Sequence, residues 1–460
     1  MHIVQVNTAD KAGGAESVSW QLFRAYRRLG HRSSLVVGLN RSGDADVVEL
    51  THDALRTAWS QRCTAATARV GSALKPLRGV QRLQTAVRLL VGQPQRWWHR
   101  NRGREDFDFP GTWRIASALA ARPDILHCHN LHGGWLEEGG YFDLAALPSL
   151  SRMFPVVLTL HDAWLLSGHC AHSFECDRWK SGCGLCPDLT IYPAVSRDAT
   201  AYNWHRKQRI FARTRLFVAT PSRWLMDKVD ESMLRPACVE QRVIPNGVDL
   251  EIFTAADRRQ ARSALGLPQD AKILLFASNG IKDNPWKDYQ TMRSALARIA
   301  GMMSDCPLLF IALGDAGAEE AIGKARIRFV PHQESPFTVA RYYQAADLYV
   351  HAAKADTFPS TVVEAAACGL PVVATAVGGI PEQVVDGRTG FLVPPRDAVA
   401  MAKQVVRLLE QEGLRLLMVE ESRRLARERF DLNQQVRAYL DWYEAISQST
   451  RSAGALHHAH

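Results

Sequence analysis

The 460-residue chain has room for two or three hydrophobic cores, and its 47% apolar and 22% charged residues are the balance of a globular protein, not of a disordered or fibrous one. No run of about twenty apolar residues occurs, which excludes a helix that spans a bilayer. The net charge of +9 is local: eleven Lys and Arg and no acid lie between Ala54 and Arg104, so the rest of the chain is slightly acidic.

Met1 leads straight into Ile3-Val4-Gln5-Val6, a buried-strand pattern, so no signal peptide is expected and the protein reads as cytoplasmic with reduced thiols. Gly13-Gly14-Ala15-Glu16 then opens a helix through Arg28 that Gly30 closes, and residues 33–37 make a second strand. The basic stretch, residues 54–104, mixes its cations with Leu74, Leu77, Val80, Leu83, Leu89, Leu90 and Trp97-Trp98. That mixture suits a helix lying on an anionic membrane surface; a solvated insertion that packs on its own domain reads equally well. Nucleic acid would accept the charge, but no nucleic-acid motif accompanies it, so none is expected as a partner. Short apolar strands follow at 124–129, 156–161 and 216–220. Such strands alternating with helices predict a parallel sheet covered on both faces.

The same grammar restarts after Pro245-Asn246-Gly247-Val248-Asp249, with strands at 272–276, 308–312, 327–330, 347–350 and 371–374. The prediction is an α/β protein of two doubly wound domains facing a central cleft, residues 1–243 and 244–430. A last helix over 431–448, carrying Val436, Tyr439, Leu440, Tyr443 and Ile446, is expected to pack back on a domain, the N-terminal one being a candidate. A mobile tail is expected over 449–460.

Two carboxylates, Asp356 and Glu364, bracket a stretch that should pass from loop to helix, starting near Pro359 or Thr361 and ending at Gly369. A helix start fed by a loop presents free N–H groups that favour an anion, so the stretch reads as a phosphate site with a carboxylate on each side. Thr361-x-x-Glu364 also fits a capping box, in which Glu364 would only bond back to its own helix.

In order and spacing these motifs resemble the retaining glycosyltransferases of family 4, whose two facing Rossmann-like domains form the GT-B arrangement. The matching residues are Gly13-Gly14-Ala15-Glu16, Thr159-Leu160-His161-Asp162, Pro245 through Asp249, Gly314-Asp315, Asp356 through Glu364, and Gly378-Gly379-Ile380-Pro381-Glu382. The resemblance implies a nucleoside diphosphate sugar donor, of the UDP or GDP type, with Phe358, Pro359, Ser360 and Thr361 forming the helix start under its diphosphate. Glu364 would take the ribose hydroxyls and Asp356 would sit beside the transferred sugar, in the family's E-x7-E pair with Asp in the first place. Lys287 matches a Lys that meets the leaving diphosphate. Lys282 stands next to Ile281, which falls at the position of the family's Arg. Gly13 and Gly14 would let the backbone approach the donor closely, although the pair also fits an ordinary strand–helix turn. His161 matches an active-site His near the reacting carbon, where a strand-end His is otherwise structural. Asn246 and Gly314 count as donor-side residues. Retention would proceed with attacking and leaving groups on one face of the sugar and a phosphate oxygen as base, so neither a protein nucleophile nor a catalytic cofactor is implied.

Four of the nine cysteines, Cys170, Cys176, Cys183 and Cys186, fall within residues 169–187 with the spacing C-x5-C-x6-C-x2-C. Four thiolates suit a closed tetrahedral zinc site; disulfides and unligated thiols are the alternatives. His161-Asp162-x-Trp164 followed by this pattern resembles a subset of the family met in bacterial polysaccharide clusters. That implies a carbohydrate acceptor, lipid-linked, in surface polysaccharide synthesis, reached through the basic stretch 56–104 at the inner face of the cytoplasmic membrane. The alternative is a catalytically inactive sugar-nucleotide or polysaccharide-binding protein on the same fold, which the Asp at 356 and the missing Arg would suit.

Overall fold

The computed structural model describes residues 1–73, 85–136, 139–303 and 305–457; Leu74, Leu77, Val80 and Leu83 of the basic stretch, with residues 458–460 of the expected tail, lie outside the described residues. The chain divides into two compact units. One comprises Met1–Thr220, Leu225–Val243 and Leu440–His460; the other comprises Pro221–Trp224 and Ile244–Tyr439.

In the first unit the described strands are β1 (His2–Ala9), β2 (Arg32–Leu39), β3 (Val47–Glu49), β4 (Ile125–Cys128), β5 (Val156–Thr159), β6 (Leu216–Thr220) and β7 (Cys238–Val243). They form one parallel sheet in the order β3-β2-β1-β4-β5-β6-β7. All eight residues of β1 are buried, as a central parallel strand covered by helices on both faces requires. The strand order reverses between β1 and β4. The loops leaving those two strands diverge there, which is where doubly wound sheets open a crevice for ligands. The helix Gly14–Arg28 follows β1 and buries Val18, Leu22, Phe23, Ala25 and Tyr26 along one stripe.

The second unit repeats the plan. Its strands are β8 (Lys272–Ala277), β9 (Leu308–Leu313), β10 (Glu320–Ile322), β11 (Ala325–Val330), β12 (Leu348–His351), β13 (Val372–Thr375) and β14 (Gly390–Val393), in the order β10-β11-β9-β8-β12-β13-β14. All described pairs are parallel except the β10–β11 hairpin. Here the order reverses between β8 and β12, whose register sets Leu274 opposite Leu348.

The basic stretch contains the helices Ala58–Ala73 and Pro94–Asn101. It is not one uniformly solvated face. Arg96, 2% exposed, pairs with Asp106 at 2.7 Å and stacks on the Phe109 ring, and Arg56 pairs with Asp108 at 2.9 Å. Trp59, Leu90, Val91, Trp97 and Trp98 are exposed. No helix among the described residues is long and apolar enough to cross a membrane.

The last helix, Leu432–His457, continues through 449–457, where the chain offers Ala and Leu and no proline to stop it. Its later part belongs to the first unit. Trp442 is fully buried against Phe217, and Tyr443 meets Tyr26 and His127.

Candidate active site

In the second unit two loops leave the sheet on either side of its reversal point, one after β8 and one after β12. Backbone bonds zip them together: Asp288 N–H donates to Ala352 at 3.0 Å and Lys354 N–H donates to Trp286 at 2.8 Å. Asp288 also caps the helix Tyr289–Met302, which holds the first loop from its far end. This framing brings the Lys287 ammonium to 2.5 Å from Asp356 Oδ2, with His351 Nε2 at 3.4 Å from the same oxygen. Burial by itself would raise the Asp356 pKa, but the Lys287 charge and the His351 contact outweigh it and hold the carboxyl well below the usual carboxylate range. Burial and Lys287 push His351 down to about 4, so it is neutral at pH 7. The site holds one carboxylate and one ammonium, close and desolvated.

The next loop fixes the backbone of Asp356. Gly378 has φ +56°, and a Cβ there would lie 1.8 Å from the Asp356 carbonyl oxygen, so no other residue fits against it.

The helix Ser360–Ala367 starts immediately beyond, with Pro359 as its extended N-cap residue and no side-chain cap. The capping box is therefore not formed. Thr361 Oγ1 is buried, and Glu364 turns away to accept a 2.8 Å bond from the Tyr343 hydroxyl. The N–H groups of Ser360 and Thr361 find no acceptor among the described residues. Burial raises Glu364 to about 7, against the lowering effect of the Tyr343 bond.

The remaining expected donor-side residues are placed differently. Phe358 packs on Phe430, with ring centroids 5.9 Å apart, and Pro359 lends its carbonyl to Gln383. Gly314, at φ +102°, lies against Ser278 O, where a Cβ would approach to 2.0 Å; its glycine keeps the β8 and β9 loops in contact. Asn246 is buried beside Gln435 of the last helix. Lys282 is not brought to Asp356. It pairs with Glu320 at 2.8 Å and lies over the Phe329 ring.

In the first unit Gly13 caps the helix Gly14–Arg28, its N–H bonded to Glu16 Oε2 at 3.1 Å. Neither Gly13 nor Gly14 has a left-handed backbone, and a Cβ on Gly14 would meet nothing within 4 Å. Chain geometry does not demand Gly14, beside which the space is open, whereas a Cβ on Gly13 would press on Glu16 Oε2 at 3.1 Å.

His161 lies two residues past β5 and joins a buried chain. Its Nε2 is 3.0 Å from His129 Nδ1, and His129 Nε2 is 3.0 Å from Gln5 Oε1. The Gln5 oxygen can only accept, so His129 Nε2 carries the proton and His161 Nε2–H donates to the bare Nδ1 of His129. That leaves His161 Nδ1 as the free ring acceptor. Burial lowers His161 to about 4 despite neighbouring Asp162, so it is a neutral hydrogen-bonding group. A parallel chain runs from His127 to Thr159 at 2.7 Å and to Tyr443 at 2.6 Å.

Two family models match this chain. One, described as Glycosyltransferase Family 4, matches residues 12–252; the other, Glycosyl transferases group 1, matches 271–411. The first alone covers more than half of the sequence. The chain belongs to glycosyltransferase family 4. Among curated relatives, D-inositol 3-phosphate glycosyltransferase of Mycobacterium tuberculosis (strain ATCC 25618 / H37Rv) is 36% identical over 179 residues, 36% of this chain and 35% of the relative. The alignment thus spans about a third of the relative's length. Among solved structures, sucrose-phosphate synthase from Thermosynechococcus elongatus matches with a TM-score of 0.61 at 18% identity, over 97% of this chain and 99% of that one. An Anabaena protein in complex with UDP-glucose matches at 0.58 and 19% identity, over 96% and 99%. A glycosyltransferase from Rickettsia africae ESF-5 matches at 0.60 and 15% identity, over 97% and 98%. These likenesses show the fold, GT-B with two Rossmann-like units.

Beside the family's motifs, the cysteine loop corrects one expectation. Cys170, Cys176, Cys183 and Cys186 line a cavity of about 20 Å³, but among the described residues no three His, Cys, Asp or Glu are arranged to hold a metal ion. Two of the sulfurs have hydrogen-bond contacts of their own. Cys183 Sγ accepts from Gly168 N–H at 3.3 Å, while Cys186 Sγ meets His169 and the Asp188 carbonyl at 3.4 Å. Burial pushes the Cys170 thiol to about 11 and Cys183 to about 12, and all four are free cysteines. The zinc expectation is not supported.

Three residues of the two clusters escaped the sequence reading. His129 and His351 both stand at the end of a strand next to a crevice, and His127-Cys128-His129, with two His on one strand face, was the available signal. Tyr343 had none, since a Tyr on a helix says nothing about the carboxylate it will meet.

Proposed function

We propose that the chain transfers a sugar from a nucleoside diphosphate sugar to a carbohydrate acceptor, with retention at the transferred carbon. The observation that carries this reading is the Lys287–Asp356 pair beside the open start of the helix Ser360–Ala367, at the reversal point of the sheet. The donor diphosphate would lie over the N–H groups of Ser360 and Thr361. Lys287 would take up the negative charge that develops as the glycosidic bond breaks, and Glu364 would receive the ribose hydroxyls. The departing phosphate oxygen would accept the proton of the attacking hydroxyl on the same face of the sugar, so no protein nucleophile is assigned. Lys282 would have to leave Glu320 to assist. Gly13, Gly14 and His161 are the first unit's proposed substrate contacts.

A UDP-type donor is tested first, since the Anabaena neighbour was solved with UDP-glucose. A thermal-shift screen of UDP-, GDP- and ADP-sugars should give one stabilising class, and that donor should then be hydrolysed or transferred. Glu364→Ala should abolish transfer in a protein with unchanged circular dichroism; normal turnover in this variant removes the assignment. A catalytically inactive donor-binding protein is the second reading, favoured by the commitment of Lys282 to Glu320, and donor binding without turnover would support it.

The Cys-rich loop and the basic stretch support a finer reading: a lipid-linked acceptor in bacterial surface polysaccharide synthesis, met at the cytoplasmic face of the membrane. Exposed Trp59, Trp97 and Trp98 among Arg residues suit an anionic interface. Co-sedimentation with phosphatidylglycerol vesicles, weakened by salt, is the expected result; protein left wholly in the supernatant rejects it.

A further inference from the structure

A cavity of about 520 Å³ lies inside the first unit, a volume in the range of small-ligand sites. Its walls come from the end of the basic stretch, the loop after β4 and the segment 192–196. Phe109, Phe142, Trp164 and Tyr192 supply aromatic surface, which suits the apolar face of a sugar ring. His132, also on the wall, bonds Asp162, the neighbour of His161, at 2.7 Å.

The charges around it are uneven. Glu105 is tied by Oε1 to the Lys207 ammonium at 2.9 Å, and Asp106 is tied to Arg96 at 2.7 Å. Arg104 has no such partner among the described residues. Its guanidinium is stacked on two rings instead, 4.2 Å from the Tyr202 centroid and 4.9 Å from that of Trp98. Stacking occupies the faces of the guanidinium and leaves its N–H groups to pair with an anion, with the fork already immobilised. The Glu105 side chain is only 8% exposed and its second oxygen is buried behind the wall, so this carboxylate does not oppose an incoming anion.

We propose that this cavity is the acceptor pocket and that it is built for a sugar bearing an anionic group, a carboxylate or a phosphate, paired with Arg104. Its naming as an acceptor pocket rests on the transferase reading; the binding itself does not. The segment that carries Arg104 closes the basic stretch, so the stretch contributes directly to substrate choice.

The test uses the full chain and three probes: methyl β-D-glucuronide, glucose 6-phosphate and methyl β-D-glucoside, titrated by ligand-observed NMR. At least one anionic probe should bind tenfold or more tightly than the neutral glucoside, and which one identifies carboxylate or phosphate as the source. Arg104→Gln should bring that ratio close to one. Arg104→Lys, which keeps the charge and loses the fork, should retain only part of it. Equal affinity for all three probes overturns the proposal, as does an undiminished ratio in Arg104→Gln. Donor thermal shifts on the same preparations separate the two readings. Anionic preference without any donor binding leaves the pocket standing and removes the transferase reading; donor binding without the preference removes the pocket assignment alone.

Discussion

Glu364 behaves unlike an ordinary carboxylate because the fold favours its protonated form, with a pKa raised by burial to about 7. The sign follows from linkage. The native state binds this proton more tightly than the unfolded chain, so the stabilisation is full below the unfolded pKa and is lost as pH rises through about 7. Glu364→Gln should therefore be more stable than the parent at pH 8, on the order of 2 kcal/mol, and nearly equal at pH 4.5, as urea melts would read. If the ribose needs the ionised form, donor affinity should rise about tenfold from pH 6 to pH 8 in the parent and stay flat in Glu364→Gln. Gly14 allows a complementary experiment, because a methyl group there meets nothing and the backbone is not left-handed. Gly14→Ala should raise stability by about 0.5–1 kcal/mol through helix propensity while weakening donor binding at least tenfold. Unaltered binding would return the glycine to an ordinary turn. Single residues were legible in the sequence where spacing carried them, as with Asp356, Lys287 and Glu364. His351 and Tyr343 were not, since a partner that comes from a distant strand or helix leaves no spacing to read.

Among elements, the strands anticipated from the sequence are those inside each sheet. The four that it did not announce, β3, β7, β10 and β14, are the four sheet edges. An edge strand has one free side and carries polar residues that discourage further pairing, so β7, Cys-Val-Glu-Gln-Arg-Val, lacks the apolar run that marks β1 or β9. The cysteine loop differs for another reason: spacing shows which thiols can meet, and all four do line one cavity, but it does not show how closely they converge. Left-handed φ values at Cys183 (52°), Gly184 (95°) and Leu185 (47°) set where those sulfurs go. Just before this loop the chain is held by Lys207 on the helix Thr200–Phe211. Its ammonium is fully buried and donates to Glu105 Oε1, Trp164 O and Ser167 O. Three donors have three acceptors, so the charge is satisfied. Lys207→Met would leave Glu105 buried and unpaired, and should cost about 3–5 kcal/mol in a denaturant melt. A loss under 1 kcal/mol would mean that water reaches Glu105.

At the scale of the whole molecule, the two units share a plan, and both sheets reverse where the proposed substrate contacts gather. The helix Leu432–His457 is the exception to this separation, since its residues from Leu440 onward belong to the first unit. Tyr443→Phe would keep the ring and lose the bonds to His127 and Tyr26, for an expected cost of about 1–3 kcal/mol. Removal of residues 440–457 would leave the site of Trp442 empty and should abolish cooperative unfolding of the first unit by calorimetry. The membership of this helix also dictates an order of events during synthesis. The second unit lies almost wholly within Ile244–Tyr439, so it is complete while the first still waits for Trp442 and Tyr443. A ribosome therefore delivers Trp442 only three residues after Tyr439, so the first unit, otherwise synthesised by Val243, cannot close ahead of the second as the usual N-terminal-first sequence would have it. Throughout the synthesis of residues 244–439 the nascent first unit keeps an unfilled apolar seat, the kind of surface that a holding chaperone covers.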